Sequence, residues 1–249
     1  MRVAIISTPR SGNTWLRKML AMLCGGEEIA MHSPTDLDWG NLPSKNCVLQ
    51  LHWHKTLHIE RLLIENGFQV VVLQRHPLDV LISILQFAHQ EPQTIHWLNG
   101  EEGSEENIYG KSPVSNAFLE YAISPRARAL LSVSIEWSAA PGAILVRYDD
   151  LVSDTEQTLY DLTAKLGMAQ SKIAVAIASN DISVLRLTSD NGHFWQGKVG
   201  LWRKVIPSDT VEMIVKQRQE IFLKYGYETM PDSKLTADEA GRNWRALCR

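Results

Sequence analysis

The residues Ser7-Thr8-Pro9-Arg10-Ser11-Gly12-Asn13-Thr14-Trp15 restrict the fold of this chain more than any other stretch. They follow a short apolar run, Val3–Ile6, long enough for one buried strand. They precede Leu16, Met19, Leu20 and Leu23, which recur at helical spacing. The pattern predicts strand, tight loop, helix. In that geometry the loop N–H groups and the positive end of the helix dipole converge on one point, which suits a phosphate or sulfate group. Ser11 and Gly12 leave little side chain in the way, Thr14 adds a hydroxyl from the first helical turn, and Arg10 carries a charge that cannot be titrated away.

Three further apolar runs, Cys47–Leu51, Val70–Gln74 and Ala143–Val146, read as strands. Gly25-Gly26 stops the first helix. Pro77 opens another, with Val80, Leu81, Ile84, Leu85 and Ala88 as its buried stripe. Helical patterns also cover 117–123, 125–138 (with Leu130, Leu131 and Trp137) and one long stretch, 208–225. Capping boxes at Ser153-x-x-Glu156 and Thr236-x-x-Glu239 open two more helices, the first ending at Gly167. Residues 27–45, 90–112 and 191–203 read as loops, and the cluster Glu101-Glu102 with Glu105-Glu106 as a solvated face. The alternation predicts a single α/β domain over 1–249, a parallel β-sheet with helices on both faces and ligand loops at one edge.

The chemistry-bearing residues fall at the predicted strand ends. His52-Trp53-His54-Lys55 follows the second run, and a continuing strand would put Gln50, His52 and His54 on one face. Two histidines without a third ligand at suitable spacing do not make a zinc site. Arg75 ends the third run and Ser83 lies eight residues on. The net charge of −3 gives no global field for nucleic acid or an anionic membrane. The first apolar run is too short for a signal-peptide core or a membrane span, and three cysteines without metal-ligand spacing fit a reducing compartment, so the chain reads as cytoplasmic.

The loop is not the nucleoside-triphosphatase motif, since Ser7 and Asn13 stand where that motif requires Gly and Lys. It resembles the 5′-phosphosulfate loop of sulfotransferases, a Lys-Ser-Gly-x-Thr-Trp run that cradles phosphoadenosine phosphosulfate (PAPS), with Arg10 in place of Lys. Gln50-Leu51-His52 is similar to the Lys-Thr-His segment of that family, without its Lys; Lys55 or Arg10 would have to compensate. Arg75-x-Pro77-x-Asp79-x-x-x-Ser83 resembles the 3′-phosphate site with its spacing intact. Tyr148-Asp149-Asp150-Leu151 resembles a Tyr-Glu-Asp-Leu element. The stretch 195–203 resembles the late Arg-Lys-Gly-x-x-Gly-Asp-Trp-Lys loop, but Trp195-Gln196 replaces Arg-Lys and Leu201 replaces Asp.

The resemblance implies a P-loop-like nucleotide-binding fold. It implies transfer of a sulfuryl group from PAPS to a hydroxyl or amine of a small-molecule or carbohydrate (glycan) acceptor, with no metal. His52, or else His54, is then the base. Arg10, Ser11, Gly12, Asn13, Thr14 and Trp15 hold the donor, Arg75 and Ser83 its 3′-phosphate, and Gly197 and Lys198 close over it. Tyr148 either touches adenosine or packs in the core. Residues 203–212 loosely resemble the family's short dimer segment, which raises a homodimer. Two alternatives stand beside this reading: a Mg-dependent nucleotide or small-molecule kinase, and a non-catalytic nucleotide-binding protein of the same fold.

Overall fold

The computed structural model describes residues 1–31, 38–43, 46–90, 105–188, 194–231 and 234–248. Its elements are β1 (Arg2–Ile6), α1 (Asn13–Cys24), β2 (Glu27–Ala30), β3 (Cys47–Leu51), α2 (Leu57–Glu65), β4 (Phe68–Gln74), α3 (Pro77–Gln90), a 3-10 turn (Glu106–Ile108), α4 (Asn116–Ala122) and α5 (Pro125–Ser138). There follow β5 (Ile144–Arg147), α6 (Tyr148–Ser153), α7 (Thr155–Leu166), α8 (Ile173–Ser179), α9 (Ile182–Thr188), α10 (Trp202–Val205), α11 (Ser208–Gln217), α12 (Gln219–Tyr225) and α13 (Ala237–Leu247). The chain divides into two compact units, 1–75 with 133–197 and 76–132 with 198–249.

The first unit holds a five-stranded parallel sheet in the order β2-β3-β1-β4-β5. Its middle strands are short β-branched or aliphatic runs with no exposed face, as a parallel sheet covered on both sides requires. The connection β1-α1-β2 runs one way along the sheet and β3-α2-β4 the other. With right-handed crossovers, α1 and α2 therefore lie on opposite faces. The carboxyl ends of β1, β3 and β4 meet where these connections diverge, which is the ligand crevice of an open α/β sheet. Ile6 pairs with both Leu51 and Val72, so the residues that follow β1 and β3 emerge level with one another. On the α1 face, Val3, Ile5, Val48, Val71, Leu73 and Val146 pack against Leu16, Met19 and Leu20 and against Leu159, Leu162 and Leu166 of α7. Burial of this apolar surface is the main stabilising term for the sheet.

Several boundaries differ from the sequence reading. Residues 27–30 form β2 rather than loop: the backbone of this exposed edge pairs with β3, from Glu27 with Cys47 to Ala30 with Gln50, although Glu has little strand preference. Tyr148–Ser153 is already helical, and the cap of α7 is Asp154, whose carboxylate accepts from the Gln157 N–H at 3.0 Å. Ser153 donates back to the Asp150 carbonyl instead of forming a capping box. The box at Thr236 and Glu239 does form. The helix expected over 208–225 breaks at Arg218, whose buried guanidinium turns away to the Ala122 and Ser124 carbonyls at 3.3 and 2.6 Å. Trp202 and Arg203, expected as loop, begin the short helix α10 (Trp202–Val205).

The second unit contains a buried ion pair that the acidic pattern of the sequence misplaced. Glu105 is not solvated: it is fully buried, accepts from Arg126 Nε at 2.8 Å and Nη2 at 3.2 Å, and accepts from the Tyr121 hydroxyl at 3.0 Å. Glu101 and Glu102 lie outside the described residues. Burial, and after it the Glu105 charge, pushes the Tyr121 hydroxyl well above its ordinary pKa. The Arg126→Met variant removes the cation that pairs with the buried Glu105 and leaves it only the Tyr121 hydroxyl of these partners, and should lose about 3–5 kcal/mol of unfolding free energy in urea titrations. The alkaline limb follows from Tyr121. Below about pH 10 the hydroxyl is protonated folded and unfolded; above it only the unfolded chain loses the proton, so stability falls as pH rises. The Tyr121→Phe variant should lack that component of the alkaline loss.

Candidate functional site

The crevice at the sheet's carboxyl edge is built first from backbone. Ser7 N–H donates to the Leu51 carbonyl at 3.2 Å, tying the loop to the end of β3. Thr8 N–H donates to Ser134 Oγ, which donates to the Leu73 carbonyl, each at 2.9 Å. The Ser7 hydroxyl and the Asn13 side chain bond to each other and close the loop from within. Arg10 then adopts φ 66° and Gly12 φ 99°, a turn that aims successive amides inward. Gly12 caps α1 in the left-handed region with no side-chain cap hydrogen bond to the first-turn amides of that helix.

Two side chains hold this strained turn. Arg75 Nη1 donates to the Arg10 carbonyl at 2.9 Å, and the Arg75 guanidinium lies over the Tyr148 ring at 4.5 Å. Tyr148 is buried, and its ring packs so closely on Gly12 that a Cβ there would sit 2.6 Å from it. Tyr148 is thus a wall of the loop. Ser11 is fully buried, and its hydroxyl has no partner among the described residues. An unpaired buried hydroxyl is costly unless something else bonds it.

Several residues expected on the donor have side-chain partners within the chain. The Trp15 ring is core, with its N–H donating to the Asn180 carbonyl at 2.8 Å. The Asn13 side chain is occupied by Ser7. Thr14 Oγ1 is 3.5 Å from Gln50 Oε1. Gly197 lies in the first unit at φ 63°, where a Cβ would meet Ile182 at 2.8 Å. Ser83 and Lys198 belong to the second unit, Ser83 buried on α3 and Lys198 exposed. There Asp79, from the same motif as Ser83, accepts from Gly200 N–H at 2.7 Å and Trp202 N–H at 3.0 Å and pins the late loop.

The two histidines do not share a strand face, because β3 stops at Leu51. His52 Nδ1 is 2.9 Å from the Ser7 carbonyl, which only accepts, so Nδ1 carries the proton. His52 Nε2 is 3.1 Å from Gln50 Nε2. Arg17 Nη1 donates to Gln50 Oε1 at 2.8 Å, which fixes the amide orientation and leaves its N–H for His52. Arg17 also pairs with Glu28 at 3.1 Å. His54 instead meets the Glu136 carboxylate at 3.1 Å, and the Lys55 amide donates to the same group at 3.1 Å. The Lys55 ammonium is engaged by Glu60 at 2.8 Å. Among the described residues no cluster of His, Cys, Asp or Glu is arranged to hold a metal ion.

No protein-family model matches the sequence, and no curated protein matches it. Solved structures do match. Mouse sulfotransferase SULT7A1 complexed with PAP superposes with a TM-score of 0.65 at 16% identity, over 100% of this chain and 89% of that one. Retinol dehydratase, in complex with androsterone and the inactive cofactor PAP, gives 0.60 at 15% identity, over 94% and 82%. The chain has the sulfotransferase fold. Arg17, Ser134 and Glu136, which also bond around the ends of β1 and β3, escaped the sequence reading. Arg17 lies on α1 one turn from Asn13, a spacing that placed it near the loop; Ser134 and Glu136 have no such signal, since they arrive from α5, 126 residues from Thr8 and 82 from His54.

The close approach of Tyr148 makes Gly12 the most restrictive position in the loop. Gly12→Ala places a side chain at positive φ, which costs about 1–3 kcal/mol, and forces the ring away as well. Gly142, at φ 73° with open space around it, incurs only the backbone cost. Urea unfolding should therefore show a larger loss for Gly12→Ala than for Gly142→Ala.

Proposed function

We propose that the protein is a sulfotransferase that moves a sulfuryl group from PAPS to a hydroxyl or amine of a small-molecule or carbohydrate acceptor. The observation that carries this is the buried, unpartnered Ser11 hydroxyl inside a left-handed anion loop. The neighbouring fold, whose members named above were solved with PAP, supports the same reading. The loop fits the donor. Ser11 Oγ and the amides of residues 11 to 14 offer hydrogen bonds to phosphosulfate oxygens, and Arg10 adds fixed charge. When bound, PAPS supplies an activated sulfuryl group with a phosphate leaving oxygen.

The chain's own residues do the rest. His52 Nε2 takes the proton from the acceptor oxygen as that oxygen attacks sulfur. Arg10 and the loop amides stabilise charge that develops on the leaving oxygen. Arg75 and Ser83 select a donor with a 3′-phosphate, and Gly197 and Lys198 form the late loop over it. Fixed cations and amides make a metal unnecessary. The three cysteines are free thiols, which supports a cytoplasmic protein, and no described helix is long and apolar enough to cross a membrane. Residues 203–212 are the candidate contact for a homodimer. A non-catalytic nucleotide-binding role is the second reading, favoured by Trp195 and Gln196 where two cations would hold the 3′-phosphate.

Calorimetric titration with phosphoadenosine phosphate, beside ADP and ATP with magnesium, tests the donor class. Metal-independent binding that requires the 3′-phosphate is expected; preference for ATP with magnesium overturns it in favour of a kinase. The Arg75→Ala variant should weaken binding by roughly ten- to a hundredfold, the equivalent of about 1.5–3 kcal/mol. In an acceptor panel His52→Ala should keep binding and lose turnover, and loss of turnover in His54→Ala alone would reassign the base. Binding without turnover on any acceptor would favour the non-catalytic reading.

A further inference from the structure

The hydrogen bonds around His52 run in one direction, and that direction is set by a residue two steps away. Arg17 can only donate, so Gln50 must present Oε1 to it and its amide hydrogens to His52. The Ser7 carbonyl can only accept, so it takes the proton on Nδ1. The chain Arg17 to Gln50 to His52 to Ser7 is satisfied only by a neutral imidazole with its lone pair on Nε2. A proton on Nε2 would face the Gln50 amide hydrogens. Turning that amide round would set its NH2 group against Arg17, whose side chain is only 12% exposed and is backed by Glu28.

We propose that Gln50, clamped by Arg17, is a positioning residue that keeps His52 neutral and holds its Nε2 lone pair in the place an acceptor hydroxyl takes. The catalytic meaning of this rests on His52 being the proton acceptor proposed above; the protonation state does not. The Gln50 N–H stands in for the acceptor O–H, so acceptor binding exchanges one donor for another on a lone pair that is already aimed.

The charged groups on the elements around His52 agree with this assignment. Arg10 in the loop and Arg17 on α1 are cations, and each disfavours a further positive charge. The carboxylates are held by other donors: Glu28 of β2 by Arg17, Glu60 of α2 by Lys55, and Glu136 of α5 by His54 and the Lys55 amide.

Imidazole nitrogen NMR on the 15N-labelled protein without ligand reads this directly, with the His52 signal assigned by its loss in His52→Gln. At neutral pH the wild type should show a single neutral form protonated on Nδ1. The Gln50→Glu variant replaces a donor by an acceptor and should show His52 protonated on both nitrogens at the same pH. Arg17→Met leaves Gln50 in place but frees its amide to turn, and should lose the single-form signature. Unchanged signals from the other histidines establish that each variant is folded. A wild-type His52 protonated on Nε2, or the same His52 signals in all three proteins, overturns the proposal. Tight phosphoadenosine phosphate binding with such a result would remove the positioning role and leave the donor reading standing; the expected spectra without nucleotide binding would do the reverse.

Discussion

The left-handed turn at residues 10 to 12 is the constraint to which the rest of the first unit is fitted. A non-glycine residue at φ 66° persists only where its surroundings over-determine it, because the conformation itself is unfavourable. Here the surroundings are Arg75 on the Arg10 carbonyl, Tyr148 close against Gly12, and the Ser7–Asn13 bond that closes the loop from inside. Each comes from a different strand end or helix start: Arg75 after β4, Tyr148 after β5, Asn13 at the head of α1. The sheet order β2-β3-β1-β4-β5 places β4 next to β1 and β5 next to β4, and so makes these three contacts possible at once.

Arg75 and Tyr148 therefore carry a structural task beside any ligand task. An arginine that stacks on an aromatic ring and donates to a carbonyl is a fixed cation, pre-ordered before any anion arrives. This changes how the motif is understood. The resemblance implies that Arg75 and Ser83 are phosphate ligands, and the geometry in addition gives Arg75 a hold on the loop that carries Arg10, Ser11 and Gly12. Asp79, between them in sequence, does comparable work in the second unit, where it fixes the backbone of the late loop at Gly200 and Trp202.

At the end of β3 the family-like pattern changes character. The Lys of the similar family segment is missing at position 50, and the chain has Gln50 there with the guanidinium of Arg17 behind it. The charge is thus moved back by the length of an amide and shared with Glu28 on the edge strand, and His52 meets a neutral donor instead of an ammonium. Lys55 does not fill the gap, since Glu60 holds it.

Much of this was legible in the sequence because it depends on local periodicity and turn chemistry. The four apolar runs, Pro77 at a helix start, Gly25 at a helix end and the Thr236-Glu239 box are decided by interactions within a few residues, and so is the loop from Ser7 to Trp15 with its helix. What the sequence could not decide are contacts across long separations. β2 exists because β3 lends Glu27–Ala30 a ladder, against the local preference of its glutamates. Glu105 is buried because Arg126 and Tyr121 surround it, whereas its neighbours suggested solvent. Trp15 sits in the core because the Asn180 carbonyl is there to take its N–H. The sequence alone determined an α/β chain with a tight turn between its first strand and its first helix. Only the tertiary structure decided which polar groups in that loop are already satisfied and which, like the Ser11 hydroxyl, have no partner among the described residues, since satisfaction of a buried polar atom depends on residues brought from elsewhere in the chain.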